Sequence, residues 1–163
     1  MMSLSNSMHR GLRLALALAG ALTLAACANT NPDQPAAGRA TPGSSQDFVV
    51  NVGDRVFFTV DSSDLTGEGR TTLDRQATWL RQYPRYTFTV EGHADERGTR
   101  EYNIALGARR AASVRDYLLS KGIETGRMRT ISFGKERPVA VCNDDSCWNQ
   151  NRRSVTALGN AGS

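Results

Sequence analysis

Between Thr99 and Lys121 the chain reads "TREYNIALGARRAASVRDYLLSK", a helical stretch closed by Gly122. At 100° per residue, with Asn103 set at zero, Gly107, Ala111, Val114 and Leu118 fall within about 80° of one another, which makes the stripe that turns to a core. Arg110 falls at about 340°, inside that stripe, whereas Arg109 at about 240° can reach water. A guanidinium that loses its hydration costs several kcal/mol unless charge and hydrogen bonds offset the loss. Whatever this chain folds into must supply a partner for Arg110. Asp95, on the turn that feeds the helix, is the expected partner. The two side chains either close a structural ion pair or hold between them a third group that carries both charges.

The other elements follow from periodicity. "RVFFTV" (Arg55–Val60) lies between Gly53-Asp54 and Asp61-Ser62-Ser63 and reads as a strand. A helix is expected from about Glu68 to Gln82, with Leu73, Ala77 and Leu80 on one face and Pro84 beyond its end. "YTFTVEG" alternates Tyr86, Phe88 and Val90 against Thr87, Thr89 and Glu91, the period of a half-buried strand. "MRTISFG" (Met128–Gly134) and "SVTAL" (Ser154–Leu158) are two more strands, with a short helix near Trp148–Arg152. The folded part, residues 48–163, holds enough chain for one core and not two. Its βαβαββ order predicts an α+β sandwich with the helices on one face of the sheet.

Ahead of the domain lies an address. Residues 1–26 carry His9, Arg10 and Arg13 and no acid, then an apolar run from Leu14 to Leu24, and "LAAC" ends at Cys27. The run is too short to span a bilayer and reads as a secretory signal. "Leu24-Ala25-Ala26-Cys27" resembles the bacterial lipobox, which implies lipidation of the Cys27 thiol and cleavage just before it. Three acyl chains there would anchor the protein permanently, and Ala28, standing where aspartate favours inner-membrane retention, points to the outer membrane. Cleavage removes two arginines and no acid, so the formal charge of +4 falls to +2, too small to argue for nucleic acid. Residues 27–47 are Pro, Gly, Ser, Asn and Thr with hardly an apolar side chain, and are expected to form a disordered tether.

The turn "EGHADERG" (Glu91–Gly98) crowds charge in a way that suggests either catalysis or binding. His93 is the only histidine left after the signal, so zinc sites built on two or three histidines are excluded. No serine sits in a Gly-x-Ser-x-Gly elbow, and Glu91 with Glu96 as a glycosidase pair is the one catalytic alternative that remains. His93 and Glu96 are expected to build and support the turn. No catalytic residue, cofactor or metal is expected.

"TVEGHADERGTREYNIALGARRAASVRDYL", "SFGKERP" and "NQNRRSV" resemble the outer-membrane protein A C-terminal-like domain family, in its lipid-anchored branch that works with the Tol system. The helix motif of that family falls on Asn103, Leu106, Gly107, Arg110 and Ala111. The resemblance implies a mixed four-stranded sheet with two main helices on one face. It also implies a noncatalytic grip on the diaminopimelate of the peptidoglycan stem peptide. The aspartate of the turn, Asp95, would take the ligand's ammonium and Arg110 its carboxylate, with Arg97, Asn103 and Leu106 lining the same pocket. Implied partners are peptidoglycan, the outer membrane through lipid at Cys27, the periplasmic propeller protein TolB and the Tol inner-membrane complex. The implied location is the periplasmic face of the outer membrane.

Two departures from the family are visible. The first strand of relatives commonly ends in Phe-Asp-x-Asp, and here reads Phe58-Thr59-Val60-Asp61, leaving only a backbone contact at Thr59. "VCNDDSCW" adds Cys142 and Cys147, a spacing that in an oxidising compartment most simply closes a short disulfide loop. The alternatives to a wall-binding tether are a periplasmic peptidoglycan hydrolase and a pure protein-interaction module. Arg110 in the core stripe argues against the last.

Overall fold

The computed structural model describes residues 40–159. The signal peptide, Cys27 and most of the tether lie outside the described residues. In order, the main elements are strand β1 (Arg55–Phe57), helix α1 (Gly67–Gln82), β2 (Phe88–His93), α2 (Arg100–Ser120), β3 (Met128–Gly134), α3 (Asp145–Asn151) and β4 (Arg153–Leu158). The strands form one mixed sheet in the order β1-β4-β2-β3. β2 and β3 are parallel and joined through α2, while β4 is antiparallel to both β1 and β2 and lies between them. The α+β class and the two main helices over one sheet are as the residues indicated.

Local chemistry sets the boundaries. Thr66 caps α1 by accepting from Gly69 N at 3.0 Å, and Thr99 caps α2 by accepting from Tyr102 N at 3.2 Å. α2 ends before Gly122, which takes φ +83°. Leu73, Ala77 and Leu80 of α1 and Ala111, Val114 and Leu118 of α2 meet Val56, Phe88, Val90 and Met128 of the sheet in one core. Gln76, fully buried, satisfies itself on the Gly53 carbonyl at 2.7 Å and the Thr156 hydroxyl at 2.8 Å.

α2 crosses β2 at very short range. A Cβ on Gly92 would lie 1.8 Å from the Gly107 carbonyl oxygen, so both positions need glycine for the backbones to touch. This contact seats the first half of α2 over the C-terminal end of β2.

Three expectations from the sequence are corrected. The first strand stops at Phe57 and not Val60, because Thr59 to Ser62 turn away to present their carbonyls to Arg110. The second strand starts at Phe88 and not Tyr86, and it runs one residue past Gly92 to His93, where β3 alone continues to pair with it. The tether also ends sooner. Residues 45–47 form a helical turn that continues as a π-helix, Phe48–Val52, and Phe48 is fully buried against Trp79. The Asp47 carboxylate accepts from Trp79 Nε1 at 2.9 Å, and the Gly43 carbonyl accepts from the Tyr86 hydroxyl at 2.9 Å. The folded unit therefore reaches back at least to Gly43, held by polar contacts that composition does not announce.

Candidate functional site

A cleft of about 350 Å³ opens between the turn after β2, the first half of α2 and the loop after β1. Asp95, Arg97, Asn103, Leu106 and Arg110 all line it, joined by Val60, Asp61, Gly98 and Tyr102. The five residues singled out as ligand-binding are thus brought together at one place.

Arg110 lies on the floor with no exposed surface. Its guanidinium donates to three backbone carbonyls: Nε to Ser62 at 2.8 Å, one terminal nitrogen to His93 at 2.8 Å and the other to Thr59 at 3.1 Å. Burial lowers its pKa to about 10, with Asp95 opposing the shift, so it remains a cation at neutral pH. The expected Arg110–Asp95 ion pair is not what satisfies it. Carbonyls where β1 and β2 end converge on the planar fork and do the work of an acid.

Asp95 is nearly buried and bonded instead to two other arginines, Arg97 at 2.8 Å and Arg152 at 3.0 Å. Burial pushes its carboxyl up, but hydrogen bonds from Arg97 and Arg152 outweigh that and hold it below the usual carboxylate range. Arg152, itself buried, was not singled out from the sequence. The signal for it is only that three polar residues, Asn151, Arg152 and Arg153, stand together where a strand begins.

The rest of the cleft is built to keep the turn in shape. Gly98 takes φ +88°, and the Arg97 carbonyl accepts from Asn103 Nδ2 at 2.8 Å. Lys135 reaches across from the loop after β3 to the carbonyls of Glu96 and Gly98, at 3.1 and 2.7 Å. Leu106, buried, supplies an apolar wall. At the mouth, Tyr102 donates its hydroxyl to Asp61, a residue held at φ +52°. Thr59 contributes its carbonyl to Arg110 rather than its side chain.

His93 offers no catalytic arrangement. It is buried and stacked on Phe133 with ring centres 5.5 Å apart, and neither ring nitrogen has a hydrogen-bond partner. Burial, followed by the charges of Arg153, Arg137 and Arg55, lowers its pKa to about 4. Glu91 Oε2 lies 3.5 Å from Nε2, but with the ring neutral this is not an ion pair. His93 serves the site through its carbonyl, which accepts from Arg110. Among the described residues no group of three or more His, Cys, Asp or Glu is placed to hold a metal ion. Cys142, ahead of α3, is joined to Cys147, within its first turn, in a disulfide with Cα–Cα 5.6 Å.

A floor arginine and a rim aspartate thus meet at the strand ends of an α+β domain. The OmpA family model matches residues 57–152, and the chain belongs to that family. It is 63% identical over 155 residues to the peptidoglycan-associated lipoprotein of Rhizobium meliloti (strain 1021), covering 91% of this chain and 88% of that one. It is 40% identical over 157 residues to the peptidoglycan-associated lipoprotein of Haemophilus influenzae, covering 92% and 99%. Among solved structures, the peptidoglycan-associated lipoprotein of Burkholderia pseudomallei superposes with a TM-score of 0.63 at 38% identity, over 65% of this chain and 90% of that one. The C-terminal domain of Helicobacter pylori MotB shares the fold, with a TM-score of 0.61 at 21% identity over 65% and 84%.

Proposed function

We propose that this protein is a noncatalytic lipoprotein of the outer membrane that binds the peptide stem of peptidoglycan and ties the membrane to the wall. The observation that carries the reading is the cleft itself. One carboxylate held ionised and one buried guanidinium face a space sized for a small zwitterion. The names of relatives that align over most of their length support the same reading.

The ligand group that fits is the free end of diaminopimelate, an ammonium and a carboxylate on one carbon. Asp95 takes the ammonium. The carboxylate takes the second N–H on each terminal nitrogen of Arg110, those not spent on carbonyls. Arg110 has no exposed surface, so the side chains around it must shift to admit the carboxylate. Arg97, Asn103 and Leu106 shape the wall. Lipid at Cys27 holds the other end of the chain at the periplasmic face of the membrane, and many anchored copies facing many stems multiply a weak single contact. Participation in the Tol–Pal system, with TolB and the Tol inner-membrane complex as partners, completes the reading and rests on the family resemblance.

Purified sacculi test it. The domain is expected to pellet with them and release no muropeptides, and Asp95→Ala is expected to remove most of the pelleting. Release of muropeptides would make it a hydrolase, and neither pelleting nor release would make it a protein-interaction module. Cys27→Ser is expected to leave the protein without acylation, which mass spectrometry of the membrane fraction checks; an acylated, membrane-bound Cys27→Ser chain would contradict the anchor.

A further inference from the structure

The wall of the cleft that carries Arg97 is backed by α3, the short helix that holds Cys147 of the disulfide. The Arg97 guanidinium carbon lies 4.1 Å from the centre of the Trp148 ring, and the indole N–H donates to Glu96 Oε1 at 3.1 Å. One side chain thus grips both residues after Asp95. The next residue, Asn149, accepts from Arg152 through its side-chain oxygen, and the other terminal nitrogen of Arg152 donates to Asp95. Both partners of the Asp95 carboxylate are therefore placed from α3.

α3 has seven residues, too few to hold a helix in place by its own ladder. Three devices hold it. Asp144 caps it by accepting from Ser146 N at 2.8 Å, and Asn151 binds the preceding loop through Val139 N and the Ala140 carbonyl, at 2.8 and 2.7 Å. The third is the Cys142–Cys147 bond, which ends on the residue before Trp148.

We infer that Trp148 is a positioning residue of the cleft and that the Cys142–Cys147 disulfide fixes its place, so that the redox state of this bond sets the strength of the grip. The inference rests on the reading of the cleft as a stem-binding site. Cys142 is half-buried and Cys147 buried, so a dithiol reductant attacks Sγ of Cys142 and expels the Cys147 thiolate, which takes up a proton. The second thiolate of the reductant then displaces Cys142, which is protonated in turn. Two electrons have passed, and the reductant has become a disulfide. With the loop released, α3 frays, Trp148 leaves Arg97 and Glu96, and Asp95 loses its fixed frame.

The test is titration of the full chain in detergent with a diaminopimelate-containing muropeptide, before and after treatment with a dithiol, with circular dichroism confirming the fold in both states. Reduction is expected to raise the Kd roughly fivefold, the size of a lost cation–π contact with its hydrogen bond. Trp148→Ala in the oxidised chain is expected to lose about the same factor and to lose nothing more on reduction. Trp148→Phe, which keeps a ring for Arg97, is expected to recover most of the affinity. Equal Kd for oxidised and reduced parent, or additive losses in the two-by-two comparison, would overturn the inference. If reduction unfolds the domain, the oxidised variants decide: parent, Trp148→Ala and Trp148→Phe of equal affinity overturn it. An oxidised parent that does not bind the muropeptide, or an Asp95→Ala chain that binds as well as the parent, overturns the reading of the cleft and this inference with it.

Discussion

The two halves of α2 carry the same inward stripe and use it in opposite ways. In the second half Ala111, Val114 and Leu118 are buried among apolar side chains and need nothing but contact. In the first half Asn103, Gly107 and Arg110 are buried just as fully, yet each is polar or missing a side chain. Asn103 and Arg110 are met by carbonyls of the turn and the strand ends, and Gly107 lets the helix backbone touch β2. One half makes the domain stable, and the other keeps a cation at the floor of a cleft without an acid against it. An arginine neutralised by its own carboxylate would have little left for a ligand. Satisfied by neutral carbonyls, it keeps its charge.

The sharpest way to break the comparison is at Arg110. Arg110→Ala leaves three carbonyls without their donor, that of His93 buried and those of Thr59 and Ser62 part-buried, and the expected cost is about 4 kcal/mol of stability together with loss of muropeptide binding. Urea unfolding and titration of the folded fraction check both; a variant as stable as the parent that still binds would show that the residue is neither support nor receptor. Leu118→Ala is the mirror experiment. It is expected to cost about 3 kcal/mol by the lost burial and the cavity, while muropeptide affinity per folded molecule stays at the parental value. A drop in affinity there would mean that the two halves are coupled and the division of labour is wrong.

The smallest expected effect concerns His93, whose carbonyl belongs to the site while its ring lies outside it. Unfolded, the imidazole takes up a proton near its ordinary 6.5; folded, only near about 4. Between those values the unfolded chain binds more protons, so stability falls as the pH drops from about 6.5 to about 4, and this contribution levels off below that. His93→Phe is expected to flatten that part of the curve of unfolding free energy against pH and to leave binding at neutral pH unchanged. An unchanged slope would contradict a neutral, buried ring.

Much of this was legible in the residues, for reasons that are physical. Strands and helices showed through their periods of two and 3.6, and Arg110 showed because it breaks a stripe that hydrophobicity otherwise fills. The five cleft residues sit on the turn and first half of a single helix, so local geometry alone brings them close. What did not show were partners without a side-chain signature. Carbonyls of Thr59, Ser62 and His93 are common to every residue type, and only the tertiary fold aims them at Arg110. Arg152 reaches Asp95 across 57 positions of sequence, and Trp148 reaches Glu96 across 52. The docking of Gly43 to Phe48 was hidden by a composition typical of linkers.

The central claim is that the cleft reads both charges of a zwitterion, and one comparison of ligands tests it most directly. Titrated with muropeptides that differ only in carrying diaminopimelate or lysine at the third stem position, the domain is predicted to prefer the first by at least about 2 kcal/mol, roughly thirtyfold. Lysine offers the ammonium and leaves Arg110 without its carboxylate. Equal affinity for the two muropeptides would contradict the account and make Arg110 a purely structural arginine.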